Sequence, residues 1–421
     1  MNGARMKSSW QYVLALLRWL CTGALIGLLC GFVGALFAIA VDKATALHAA
    51  HNWLLFALPV AGLVIAEVYY VLRLPLSIGT DKIIATVRDQ GKVPVQMAPA
   101  IFISTVLTHL CGGSSGREGA ALQLGGSIGA AVGDLTHPDP HADTRRIFEL
   151  CGMAALFSAL FGTPITAAIF VLEIIEVGKF NDRALLPCVV SAVAANWMAR
   201  VVGAPVEPFA LAAGLAGVTP MSVLQTAGVG MACAVTAMLF CTAMHVSGRL
   251  QKKVFPNEFV RIAVGGLVVA ALTIVLGSRD YNGGGMHTIF HALEGHARPE
   301  AFALKIIFTA ITLGAGFKGG EIVPSFFVGS TMGCTVAGLL GLDPALGAAL
   351  GLAGVFAGVT NAPLAAIMLS IELFGAEYLP LFGTCVAVAF MLSGHYSLYH
   401  EQRFAQSKLG HADENEQVHS H

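Results

Sequence analysis

Charge is what this chain lacks most. Of its 421 residues only 12% are Asp, Glu, Lys or Arg, while 56% are hydrophobic; a soluble domain carries about 25% charged residues. With a mean hydropathy of +0.74, a water-soluble globule is excluded. The fold class is all-α, a polytopic helical membrane protein. Alternating strands of about ten residues are absent, which argues against a membrane barrel. A net charge of −1 leaves no basic field for nucleic acid or acidic lipid. The nine cysteines, among them Cys21, Cys30, Cys111 and Cys151, lack CxxC or His-pair spacing. They read as small packing residues rather than metal ligands or disulfides. No nucleotide loop or cofactor motif occurs, so no cofactor is expected. The first apolar stretch is too long for a cleavable leader, has Arg18 ahead of it and lacks a small-residue cleavage site.

What is present is a series of apolar stretches near bilayer length, at about 12–41, 52–72, 146–175, 184–203, 221–246, 259–277, 301–316 and from 322 to 394. Basic residues cluster at Arg5/Lys7, Lys179/Arg183, Arg249/Lys252/Lys253 and Arg403/Lys408. Two apolar segments, joined by residues 204–220 with Glu207 and no Lys or Arg, separate the second cluster from the third. All four clusters then fall on one side, which the positive-inside rule makes cytoplasmic; Arg200 is a mild exception. Both termini are expected in the cytoplasm, with the chain multi-pass in a bacterial-type inner membrane. The 48 glycines include a ladder at Gly23, Gly27 and Gly31, suited to close helix packing in lipid.

Three apolar segments, 78–87, 118–133 and 322–333, are too short to span and are interrupted by glycine or proline. Broken helices are tolerated in a membrane only inside protein or along a cavity. GTPITAAIFVLEI (162–174) also matches NAPLAAIMLSIEL (361–373), with Pro164 on Pro363 and Glu173 on Glu372. Each copy follows a glycine-rich, glutamate-bearing break at a similar interval. Two halves, about 15–203 and 221–400, are therefore expected, with a site between them. Residues 1–14 read as a cytoplasmic segment, and 401–421, ending HADENEQVHSH, as a polar, disordered tail.

The breaks carry the chemistry. GREGA (116–120) and GFKGGEIVP (316–324) place glycines just before an apolar helix, and SIGTDKII (77–84) offers a third helix start. Helix N-termini have unpaired N–H groups and partial positive charge. Three of them meeting at mid-membrane would bind an anion without trapping it, as conduction requires. If the glycines served packing alone, Glu118 and Glu321 would be an unexplained cost in the bilayer.

GREGAALQLG resembles the GREGPxVQ-type motif of the CLC family of chloride channels and proton-coupled anion antiporters. GFKGGEIVPSFFVG is similar to that family's GxFxP motif, and HYSLYH (395–400) lies where the family carries an anion-site tyrosine. The resemblance runs from about residue 15 to 405. It implies a fold of two inverted-topology repeats with broken helices and a homodimer with one pathway per subunit. Glu118 would be the gating glutamate that competes with the anion and carries the proton. A structural ion pair with Arg117 is the competing account, disfavoured because adjacent residues on a helix do not face each other. Tyr396 would donate its hydroxyl to the anion, unless it is a membrane-interface tyrosine; Tyr399 takes the role if the register shifts by a turn.

Departures from the chloride-transporting pattern set the subtype. Glu321 stands where those members have an apolar residue, as in the fluoride-exporting branch. Ser77-Ile78-Gly79-Thr80 replaces the usual GSGIP. Ile174 takes the place of the internal proton-transfer glutamate, and Glu173 beside it reads as structural. The implied anion-binding set is Ile78, Gly79, Gly119, Glu321, Ile322, Val323 and Tyr396, with Arg117, Lys318 and Thr80 in support. Val323 offers no hydroxyl, so backbone N–H groups would solvate the anion. Lys318 either attracts the anion or neutralises Glu321; the second is favoured, since an unpaired intramembrane charge is expensive.

The expected function is a proton-coupled fluoride exporter, conferring fluoride resistance. Its partners are fluoride, protons and the lipid bilayer, with no nucleic acid. The alternative is a CLC-type chloride/proton antiporter or chloride channel. A remote alternative is an intramembrane serine protease, from the GxSG string at 113–116 with His245, His287 or His291 as base; no enzyme is expected.

Overall fold

The computed structural model describes residues 2–136, 142–205, 209–211, 217–405 and 408; Glu207 and the HADENEQVHSH segment lie outside them. Among the described residues the chain forms sixteen α-helices. The first half contains α1 (Asn2–Ala50), α2 (Leu58–Val71), α3 (Thr80–Arg88), α4 (Met97–Leu110), α5 (Glu118–Thr136), α6 (Ala142–Phe161), α7 (Pro164–Ile174) and α8 (Asp182–Val202). The second half contains α9 (Pro220–Val254), α10 (Glu258–Leu276), α11 (Met286–Leu293), α12 (Ala301–Ala315), α13 (Ile322–Leu340), α14 (Pro344–Thr360), α15 (Pro363–Phe374) and α16 (Leu379–Leu392). Six helices are long and apolar enough to cross a membrane, and six apolar ones of 10–17 residues are shorter. This is a multi-pass helical membrane protein.

Two long stretches of the sequence divide where the backbone cannot continue as helix. The 146–175 stretch breaks at Gly162 (φ 73°), and Pro164, whose missing N–H is harmless in a first turn, opens α7. The 322–394 stretch divides into α13 to α16, with Gly341 (φ 74°) and Asn361 (φ 55°) ending helices in the left-handed region. The segment before residue 15 continues α1 rather than standing apart.

Packing follows the small residues, as expected where lipid supplies no hydrophobic drive between helices. The glycine ladder on α1 lies against α8: a Cβ on Gly27 would meet Ala194 Cβ at 2.8 Å, and one on Gly31 would meet Met198 Cβ at 2.8 Å. The two halves repeat a second arrangement. Gly125 and Gly152 bring α5 onto α6, and Gly329 and Gly351 bring α13 onto α14, each pair in backbone contact.

The matched segments of the internal repeat explain each other. Glu173, at the end of α7, accepts the N–H groups of Leu364 (3.0 Å) and Ala365 (2.9 Å) in the first turn of α15. Glu372, at the end of α15, accepts those of Ile165 (3.1 Å) and Thr166 (2.8 Å) in the first turn of α7. Such an exchange requires the two helices to run antiparallel, which is what inverted-topology repeats produce. Each half thus satisfies the orphan donors of the other.

The expected disordered tail starts later than residue 401. Gln402 is 1% exposed and donates to the carbonyls of Ile174 and Thr360. Strand β1 (Glu176–Val177) pairs in parallel with β2 (Arg403–Phe404). Residues 401–405 are therefore tied into both halves, by the Gln402 bonds and the β1–β2 pairing.

Candidate functional site

The glycine-rich breaks of the two halves meet. Gly116 and Gly320 form an antiparallel bridge, each N–H donating to the other's carbonyl at 2.7 Å. Two residues later in each half, α5 begins at Glu118 and the first turn of α13 follows Glu321. The helix N-termini are in this way fixed back to back inside the protein. Gly119 is required by close approach: a Cβ there would stand 2.9 Å from Gly320 Cα and 3.0 Å from both Glu321 Oε2 and Thr80 Oγ1.

The third helix start joins the same place. Thr80, first residue of α3, is 4% exposed and donates from Oγ1 to the Gly119 carbonyl at 3.2 Å. Ahead of it Gly79 is extended, and a Cβ there would meet no atom within 4 Å, so this backbone borders open space. Gln123, one turn along α5 from Gly119, donates Nε2 to Thr80 Oγ1 (3.3 Å), while its Oε1 is buried without a partner. The starts of α3, α5 and α13 converge.

Glu118 is 2% exposed, and its carboxylate turns back over its own helix start: Oε2 accepts the Arg117 N–H at 2.9 Å, and Oε1 lies 3.5 Å from Arg117 Nε. The ion pair disfavoured from sequence therefore forms. Arg117 precedes the first turn of α5, so the rule that helical neighbours diverge does not govern it. The carboxylate occupies the kind of position a free anion would take at a helix N-terminus. Beside it lies a cavity of about 360 Å³, walled by Arg117, Glu118, His48, His109, Arg279 and Val323, among others. His48, near the end of α1, is 6% exposed.

Lys318 does not neutralise Glu321. Its buried ammonium donates to the carbonyls of Leu76 (2.6 Å) and Ile78 (2.8 Å) and sits 4.4 Å from the Tyr69 ring centroid. Carbonyls at a turn cannot all find backbone donors, and a cation with three N–H bonds satisfies two of them while fixing the approach to α3. Ile78 thus contributes its carbonyl to that anchor. Ile322 is fully buried and Val323 is 4% exposed, both in the first turn of α13.

Tyr396 is 40% exposed, whereas Tyr399 is fully buried, with a hydroxyl lacking a hydrogen-bond partner and within electrostatic reach of Glu321 and Asp81. Asp81, in the first turn of α3, accepts the Glu401 N–H at 2.8 Å. Gln123 and Asp81 were missed from sequence. Gln123 was findable, since it lies four residues beyond Gly119 on one helix face.

Among the described residues Ser115 Oγ forms no hydrogen bond with His245, His287 or His291. Ser115 Oγ is buried without a hydrogen-bond partner. His245 lies 3.3 Å from the Leu398 carbonyl, and His287 and His291 contact each other. All nine cysteines are free, eight of them buried.

Two inverted repeats whose broken helices meet beside Glu118, which is buried, and Glu321, which is part-buried, define a membrane transport architecture rather than a soluble catalyst. The chain belongs to the CLC family: the family model described as voltage gated chloride channel matches residues 69–394. It is 36% identical over 399 residues to a chloride/fluoride channel protein of Pseudomonas syringae pv. tomato, covering 93% of this chain and 87% of that one. It is 25% identical to an H(+)/Cl(−) exchange transporter, ClcA, of Vibrio vulnificus, covering 85% and 82%. The crystal structure of a CLC-type fluoride/proton antiporter superimposes with a TM-score of 0.87 at 31% identity, over 92% of this chain and 98% of that chain. A slow cyanobacterial Cl−/H+ antiporter superimposes with a TM-score of 0.74 at 21% identity, over 89% and 94%, which bears on the fold alone.

Proposed function

We propose that this protein is a proton-coupled fluoride exporter. The observation that carries the reading is the placement of Glu118, whose carboxylate lies on the N-terminus of α5 between a cavity and the Thr80–Gly119–Glu321 cluster. While ionised, the carboxylate holds the Arg117 N–H and shuts the path. Protonation removes the charge that holds it there, the side chain leaves, and an anion takes the freed donors. Release to the cavity side of an anion that entered from the cytoplasm, and loss of the proton to the cytoplasm, reset the gate. Coupling follows because carboxylate and anion compete for one place.

Fluoride is favoured over chloride by the carboxylate of Glu321 beside the anion position. Fluoride, small and a strong hydrogen-bond acceptor, can accept a hydrogen bond from a protonated carboxyl, whereas chloride, a weak acceptor, gains little. The relatives named for fluoride support this. Tyr399, rather than Tyr396, is the hydroxyl donor in this reading, and Gly79, Gly119, Ile322 and Val323 supply backbone around the ion. The basic clusters support an orientation with both termini cytoplasmic in an inner membrane, so that the cavity, which includes His48 near the far end of α1, faces outward. A homodimer with one pathway in each subunit completes the proposal.

The test is ion flux from proteoliposomes, followed with a fluoride-selective and a chloride-selective electrode, with and without a proton uncoupler. Fluoride efflux that needs proton movement is expected. Chloride flux equal to or faster than fluoride flux overturns the assignment in favour of a chloride/proton antiporter. Fluoride flux indifferent to the proton gradient marks a channel.

A further inference from the structure

The short helix α11 presents two histidines to solution at the edge of the Glu118 cavity. Ile289, Ala292 and Leu293 bury one face of this helix. His287 and His291, four residues apart, project together from another face and are both exposed. Their Nε2 atoms are 3.1 Å apart. His291 also places Nδ1 3.3 Å from Glu294 Oε2; with a proton on Nδ1 toward that carboxylate, its Nε2 is an acceptor, here turned to His287 Nε2. His287 lines the cavity itself. The support is rigid: the buried Lys305 ammonium donates to the carbonyls of Tyr281 (3.1 Å) and Gly283 (2.6 Å) in the turn that leads into α11.

We propose that His287 and His291 form a binding site for a divalent transition-metal ion, zinc or a similar cation, through which that ion slows transport. Zinc–imidazole bonds are about 2.0–2.1 Å, so two nitrogens on one ion stand about 2.9 Å apart at a right angle and about 3.35 Å apart at the tetrahedral angle. The observed 3.1 Å falls between these limits. Imidazole is a ligand suited to zinc, copper and nickel. A carboxylate on the second ring nitrogen is the usual outer partner of a metal-binding histidine. Among the described residues no three or more His, Cys, Asp or Glu side chains gather into a metal site, so water completes the coordination shell. Those open positions face an anion path, and an anion held by the metal at its opening is retained rather than passed on. The binding half of the proposal stands whichever ion the protein carries; the transport half rests on the function proposed above.

Calorimetric titration of zinc chloride into untagged, full-length protein in detergent tests binding. The tail histidines are common to every variant and cancel in the comparison. The tightest zinc event of the wild type is expected to vanish in His287→Gln and in His291→Gln. In Glu294→Gln it is expected to persist, weakened about 10- to 100-fold. Identical isotherms in wild type and both histidine variants overturn the site and leave a simple histidine–histidine hydrogen bond. Zinc should also slow anion flux through wild-type proteoliposomes, reversibly on adding EDTA, and leave the flux of His291→Gln unchanged. Equal slowing of both proteins overturns the transport half, while the absence of flux without zinc points instead to failure of the functional reading.

Discussion

Replacing Glu118, the proposed gate, with glutamine separates its charge from its shape. The side chain keeps its length and one acceptor oxygen but loses the charge that faces the Arg117 N–H at 2.9 Å and the Arg117 Nε at 3.5 Å. A hydrogen bond to a charged group contributes about 1.5–3 kcal/mol, and one between neutral groups about 1 ± 0.5 kcal/mol. The variant's hold on the helix N-terminus is therefore weaker by about 1–1.5 kcal/mol, taking like ends of the two ranges. In the proposed competition of carboxylate and anion for the same donors, that difference appears as tighter anion binding, by about 5- to 13-fold. Glu118 is 2% exposed, so solvent screening takes little from the figure. Fluoride titration by calorimetry reads the affinity, and proteoliposome flux under an imposed proton gradient reads the coupling. Tighter fluoride binding with no proton-driven flux is expected. Proton-driven fluoride flux at the wild-type rate in Glu118→Gln refutes the competition outright.

Three further outcomes follow from the packing around this gate. Glu372→Ala strips two acceptors from the start of α7 and should lower thermal stability, since each buried donor left unsatisfied costs about 1–3 kcal/mol; Glu372→Gln, which keeps one acceptor, should lose less, and equal melting of all three proteins would falsify the exchanged-cap account. Lys318→Met removes two charge-assisted bonds of about 1.5–3 kcal/mol each from the turn before α3, so fluoride binding should weaken at least about tenfold along with a drop in melting temperature; unchanged affinity means that turn is held by other contacts. Tyr399→Phe should weaken fluoride binding by about 2- to 10-fold, the loss of one net hydrogen bond, while Tyr396→Phe stays within about twofold; the reverse order restores the exposed tyrosine to the site.

Much of the architecture was legible because it depends on local chemistry. Glycine before a helix start, proline in its first turn and glutamate at bilayer depth are rare enough together to mark the breaks at Glu118 and Glu321. The repeated PITAAIFVLEI-type segment marks the halves. What escaped the sequence depends on distance and register. Lys318 finds the carbonyls of Leu76 and Ile78, about 240 positions earlier, and spacing along the chain cannot foretell that. Tyr396 and Tyr399 lie in an irregular stretch with no helical period to say which points inward. The Arg117–Glu118 contact was misjudged because a rule for helix interiors was applied at a helix boundary. Residues 401–405 read as polar tail, yet Gln402 reaches buried carbonyls that need a donor.

The symmetry of the scaffold sharpens the difference between its two carboxylates. Glu173 and Glu372 occupy matched positions and do matched work, each capping a helix of the other half. Gly116 and Gly320 are likewise equivalent and bond to each other. The cations beside the breaks are not equivalent. Arg117 stays with its neighbouring glutamate and borders the cavity, whereas Lys318 is drawn away to the turn before α3. Glu118 therefore faces an arginine and open space, while Glu321 faces Thr80, Gly119 and the field of Tyr399. One carboxylate has a cation beside it and room in which to move. The other has polar groups that suit a fixed position beside the ion. A symmetric fold with asymmetric cations can thus assign gate and binding partner to different glutamates, and exchanging the two cations (Arg117→Lys with Lys318→Arg) should disturb the gate and the α3 anchor separately rather than together.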